Sequence, residues 1–170
     1  VIQSRTGELG PGAITEVYGR KLDDSNRKRG SASHLYLPGP HRGIFNPAGL
    51  AAPCLTADNR HPSRSVILCE SLIDALTFWV HGLRHVTASY GTGGFTADHL
   101  ATFIDQRIET VYIAYDRDDA GDHAAAALAV RLTAEGIRCR RVLFPRGTDA
   151  NAFALSIDNP AERLRQLVAS

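Results

Sequence analysis

The sequence has no methionine, a single tryptophan, three cysteines and almost no net charge. Beginning at Val1 without a methionine, it reads as a portion of a longer protein. Cys54, Cys69 and Cys139 are odd in number, far apart and never spaced C-x-x-C, so neither a disulfide framework nor a zinc ribbon is expected, and a reducing cytoplasm is the simplest setting. No apolar run approaches the ~20 residues that span a bilayer, and no charged start leads into an apolar block, so no membrane role is expected. A formal charge of +1 neither demands nor excludes a polyanionic partner. Any nucleic-acid site must therefore come from local clustering. What is present is 44% hydrophobic residues in a chain of 170, enough for one domain with a true core and a small appendage.

The texture changes along the chain. Residues 1–46 are rich in Gly, Pro and basic groups, with two β-like runs, "AITEVYGRKL" and "SHLYLPG", around the polar "DDSNRKRGSA". A small antiparallel N-terminal α+β subdomain is expected there. Residues 47–64 carry three prolines and little periodicity, which suits a connection with one short helical turn. From residue 65 to 170 short apolar runs ("SVILCE", "HVTASY", "TVYIAY", "RCRRVLF") alternate with helical ones. Buried strands separated by helices predict an α/β, doubly wound sandwich with about four parallel central strands and a helical C-terminal tail. In the first helix Leu72, Ala75, Leu76, Trp79 and Val80 recur at helical spacing before Gly82; in a later one Ala124, Leu128 and Leu132 do so before Gly136.

In open parallel sheets the site lies beyond the carboxyl ends of the strands. Those ends deliver Glu70 with Asp74 a turn later, then "YGTGG", then Asp116, Asp118 and Asp119, then Asp149. Each acid has a plain structural reading, as a helix cap or a solvated side chain, and Asp119 is expected to cap the helix that follows. A cap needs one carboxylate, however. Extended backbone over Asp116-Arg117-Asp118 would aim two acids to one side, and Glu70 from the neighbouring strand would complete an oxygen cluster of the kind Mg²⁺ or Mn²⁺ prefers. Gly91, Gly93 and Gly94 form a turn, not a Walker A loop, that could let a phosphate or DNA approach the backbone closely. Arg20, Lys28, His41 and Arg42 in the N-terminal part read either as a solvated basic loop or as a phosphate-contacting surface. Pro and Gly around "PHRG" fix where His41 and Arg42 point.

An acid after the first strand, a glycine turn after the second and "DRDDAG" after the third resemble the Toprim domain shared by primases, topoisomerases and some nucleases. The Ala-Gly ending, "FTADHL" and "GTDAN" are similar to bacterial DNA primases of the DnaG type, and "YGRKLDDS" and "HRGIFN" resemble the small subdomain ahead of Toprim in phage and mobile-element primase cores. The resemblance implies RNA primer synthesis on single-stranded DNA from ribonucleoside triphosphates, with a replicative helicase as partner. It implies that Glu70, Asp116 and Asp118 are catalytic and hold Mg²⁺ or Mn²⁺ with Asp74 and Asp149, while Arg20, Lys28, His41 and Arg42 meet nucleotide or template. Asn151 stands where the family carries a second acid. A Toprim nuclease and a non-catalytic DNA-binding module of a replication or transposition complex are the alternatives. A topoisomerase would need a nucleophilic tyrosine in a further domain.

Overall fold

The structure is a computed structural model that describes residues 2–3, 14–21, 34–51, 54–55 and 62–170. The early part consists of short antiparallel pairs: β1 (Ile2–Gln3) with β2 (Ile14–Glu16), β3 (Gly19–Arg20) with β4 (His34–Leu35), and β5 (Cys54–Leu55) with β6 (Pro62–Ser63). Between them Asn46, in left-handed conformation, leads into a single 3₁₀ turn at Pro47–Leu50. Proline at the start of that turn forfeits only an N–H that would have been unpaired.

The main sheet comprises β7 (Ser65–Cys69), β8 (Val86–Ala88), β9 (Thr110–Ala114) and β10 (Arg138–Arg141), parallel throughout and ordered β10-β9-β7-β8. Helices α1 (Leu72–Val80), α2 (Ala97–Asp105) and α3 (Asp119–Ala134) make the crossovers, and α4 (Ala150–Leu155) and α5 (Pro160–Ala169) close the chain. The alternation of β7 splits the core into two layers. Val66 and Leu68 pack with Phe103, Leu128 and Leu132 from α2 and α3, while Ile67 and Cys69 pack with Ala75, Phe78, Ala154 and Leu164 from α1, α4 and α5. This is the doubly wound α/β arrangement expected from alternating runs. Both Phe78 and Phe103 are fully buried, each contributing roughly 2–3 kcal/mol of transfer free energy.

The phase of α1 differs from the expected stripe. Leu72, Ala75 and Phe78 are buried together with Asp74 and Thr77, whereas Leu76 and Trp79 lie at the margin and Val80 is exposed. The Arg84 guanidinium covers the Trp79 ring at 4.8 Å. Both periodicities fit the sequence. The helix turned the way that brings Asp74 inward.

Because β7 stands between β8 and β9, the chain leaves β7 over one face and β9 over the other. Their carboxyl ends therefore border the crevice where the strand order reverses. The outer side of β8 is closed by the early part of the chain: Asn46 Nδ2 donates to the carbonyls of Arg84 and Val86 at 2.8 and 3.0 Å, and the Thr87 hydroxyl donates to Phe45 O at 2.7 Å.

Candidate metal centre

Cys69 and Ala114 are in register, so Glu70 and Asp116 leave adjacent strands side by side. Ser71 caps α1 and donates its hydroxyl to Asp74 Oδ2 at 2.6 Å, while the Asn151 N–H donates to Asp74 Oδ1 at 3.1 Å. Asp149 caps α4 through the Ala152 N–H at 2.6 Å. Two helix starts and two strand ends thus bring these acids together. One carboxylate oxygen each from Asp74, Asp116 and Asp149 lies within 4.8 Å of the others. Glu70 Oε2 and Asp116 Oδ1 are buried beside them without a hydrogen-bond partner.

Burial, then the charges of Glu70, Asp74, Asp149 and Asp118, raises the Asp116 pKa to about 7. Glu70 and Asp74 are pushed up as well, burial again being the main cause. Crowded carboxylates with orphaned oxygens are stable as anions only with a cation among them. Their all-oxygen donor set fits a hard divalent ion. The acids open onto a cleft of about 270 Å³ lined also by Arg20, Tyr36, Ser71, Tyr90 and Gly91. A larger cleft of about 520 Å³ sits at the opposite ends of the strands. The Glu109–Arg138 ion pair neutralises its rim.

Two expectations need correction. Asp118, not Asp119, caps α3, its Oδ1 accepting the Gly121 N–H at 2.7 Å. Asp119 is the first helical residue, 92% exposed, 3.5 Å from Arg146. Helix phase decides between two adjacent acids, and the cap takes the one still in extended backbone. Asp118 therefore stands near the cluster, adding its charge to Glu70 and Asp116, with one oxygen committed to the helix. Gly121 is where α3 meets the sheet; a Cβ there would overlap the Asp116 carbonyl oxygen.

The glycine turn is also more internal than expected. Gly91 has φ +92°, donates to Glu70 O at 3.1 Å and lines the cleft. A Cβ on Gly94 would collide with the Tyr90 backbone, so the close approach there is within the turn itself, and Gly93 faces open space. Of the basic residues, Arg20 on β3 reaches the cleft. Lys28 lies outside the described residues. Arg42 is exposed and gives its carbonyl to the Tyr90 hydroxyl. His41 lies behind the cleft wall and bonds to buried Glu16 at 2.9 Å.

Sequence reasoning missed a brace under the site. Arg141 Nη1 donates to the carbonyls of Ile113 and Tyr115, and its Nη2 to Asp116 O and Asp122, while Arg117 binds both oxygens of Asp122 at 2.7 Å. These bonds hold the end of β9 from below. The available signal was Asp122 in the first turn of α3, five residues after Arg117.

Residues 67–154, just over half of the chain, match the Toprim-like family. The chain belongs to that family. It is similar to the DNA primase of Halalkalibacterium halodurans, 29% identical over 150 residues that make up 85% of this chain and 23% of that protein. The solved Aquifex aeolicus primase, comprising zinc-binding and RNA polymerase domains, superposes with TM-score 0.63 and 26% identity over 92% of this chain and 37% of that one. A DnaG primase catalytic domain bound to single-stranded DNA shares the fold, with TM-score 0.65 and 24% identity over 91% of this chain and 47% of that one. The chain spans between about a tenth and a quarter of the length of the curated primases it matches. The mobile-element setting finds no support in these matches.

Proposed function

We propose that the chain is the catalytic core of a DNA primase that joins ribonucleotides into RNA primers on single-stranded DNA. The observation that carries this reading is the convergence of Asp74, Asp116 and Asp149 with two unpartnered buried oxygens, on Glu70 and Asp116, at the reversal point of the sheet. Likeness to DNA primases gives the cluster its reaction. Glu70, Asp116 and Asp118 are assigned the catalytic role, with Asp74 and Asp149 completing the ligand set. Mg²⁺ or Mn²⁺ bound there would neutralise phosphate charge and lower the pKa of an attacking hydroxyl.

The remaining steps belong to the protein. Ser71 and the Asn151 N–H orient Asp74, and the Asp118 and Asp149 caps tie two acids to helix starts. Asn151 thus contributes through its backbone where the family carries an acid. Arg20 faces the acids across the cleft and is placed to meet a triphosphate, with Lys28 and Arg42 as further contacts to nucleotide or template. In this reading residues 65–170 form the Toprim domain with its helical tail, residues 1–46 the basic subdomain that presents substrate, and residues 47–64 the connection. The setting is the bacterial cytoplasm, beside a replicative helicase.

The test is template-dependent incorporation of labelled ribonucleotides with Mg²⁺ or Mn²⁺, with Asp116→Ala as control. Primer-length products lost in the variant support the reading. Metal-dependent cleavage of DNA without incorporation would assign the acids to hydrolysis instead.

A further inference from the structure

Away from the acids, Glu16 is a buried carboxylate with both oxygens bonded. Its side chain is 2% exposed, and an unpaired carboxylate at such a site is strongly disfavoured. Burial pushes its pKa up, but His41 and the N–H groups of Leu37 and Val17 outweigh that and hold it below the usual carboxylate range. Oε1 takes the Leu37 N–H at 2.7 Å and the Val17 N–H at 3.0 Å, and Oε2 faces His41 Nδ1 at 2.9 Å. An ionised carboxylate only accepts, so His41 carries a proton on Nδ1 and donates it.

The His41 ring in turn lies flat on Tyr90, centroids 4.4 Å apart and planes at 12°. Tyr36 meets both rings edge-on, at 4.9 Å from His41 and 5.3 Å from Tyr90. The Tyr90 hydroxyl reaches back to the carbonyls of Arg42 and Gly43 at 2.8 and 3.1 Å. One carboxylate therefore pins the backbone next to Tyr36 and the ring that covers Tyr90, and Tyr36 and Tyr90 both line the acidic cleft. One ring face and Nδ1 of His41 are used in this way, and 33% of its side chain remains exposed. The bonded nitrogen and the stacked face are therefore committed to the protein.

We propose that His41 acts with Glu16 as a positioning residue, clamping the N-terminal segment against Tyr90 so that Tyr36 and Tyr90 stand as the wall of the acidic cleft. The proposal rests on the reading of that cleft as a metal centre. It moves His41 from substrate contact to construction of the site, and it gives the buried charge of Glu16 a purpose outside catalysis.

The experiment uses Tb³⁺, a hard oxygen-seeking ion whose luminescence is sensitised by tyrosine and tryptophan rings close to it. The variants are Glu16→Gln, which keeps the shape of the side chain, and His41→Phe, which keeps a ring. Tyr36→Phe measures how much of the emission that ring supplies. Each clamp variant is expected to bind Tb³⁺ with the wild-type affinity, because the acids are untouched, yet to lose sensitised emission per bound ion. The double variant should lose no more than either single one, since both break the same link. A purely structural role would lower the thermal midpoint and leave emission per bound ion unchanged. That result, or wild-type emission from His41→Phe together with weakened binding of single-stranded DNA, overturns the proposal. Absence of Tb³⁺ binding in the wild-type protein overturns the metal reading, and the clamp with it.

Discussion

Replacing Asp116 by asparagine changes the electrostatics of the cleft while keeping its shape. The carboxyl's pKa is raised from 3.8 to about 7, so between those values the folded protein binds a proton that the unfolded chain has released. Stability accordingly falls as pH rises from about 4 through about 7, and the full penalty is present above that. At 1.36 kcal/mol per unit the ceiling is about 4 kcal/mol, and solvent screening at a partly exposed site reduces it to about 2 kcal/mol. For a domain of this size that corresponds to about 4–8 °C in thermal midpoint. Metal-free Asp116→Asn is therefore expected to melt higher than wild type at pH 8, with the difference shrinking toward pH 4. Added Mn²⁺ should raise the wild-type midpoint and not the variant's. Differential scanning fluorimetry across pH, with and without Mn²⁺, reads both effects. Equal midpoints at pH 8, or a difference that does not change with pH, would refute the assignment of a crowded, cation-seeking carboxylate.

Other expectations follow from single contacts. Asp118→Ala removes the α3 cap and should cost about 1 kcal/mol in urea unfolding, whereas Asp118→Asn keeps a cap; loss of primer synthesis in a stable Asp118→Asn would isolate the role of the charge. Gly121→Ala forces a methyl group against the Asp116 carbonyl and should lower both stability and Mn²⁺ affinity, measured by chemical denaturation and calorimetry. His99 is fully buried, its Nε2 facing Ala88 O at 2.9 Å, and burial lowers its pKa to about 4. The unfolded chain then takes the extra proton below about pH 6.5, so about 3 kcal/mol of stability should drain away between there and pH 4. Because Asp116 contributes with the opposite sign over the same range, the check is an NMR titration of the folded protein: a His99 imidazole that protonates near pH 6.5 would contradict the neutral buried ring.

The strands and the order of strand-end motifs were legible because parallel strands buried on both faces are short apolar runs and because their carboxyl ends carried the polar residues. The placement of Glu70 beside Asp116 followed from that order. The cap of α3 did not. Asp118 and Asp119 are chemically alike, and only the start of the helix chooses between them. The α1 stripe was ambiguous in the same way, since rotating the helix exchanged Leu76 and Val80 for Phe78 and Asp74. Glu16 and His41 are separated by 25 residues, and nothing local marks either as the other's partner. The brace of Arg117 and Arg141 on Asp122 was hidden among surface-like charges, because paired arginines look no different in sequence from solvated ones.

Asn46 and Phe45, which close the outer side of β8, belong to the same stretch that holds His41 behind the cleft wall. A fragment trimmed back to Ser65 would keep the four parallel strands and every acid of the cluster. It would also uncover the outer edge of β8, one of the two outermost strands. Sheets exposed in this way recruit other chains. Such a fragment is expected to self-associate, so the early segment acts as a molecular hem as much as a part of the site, and the two duties cannot be separated by truncation.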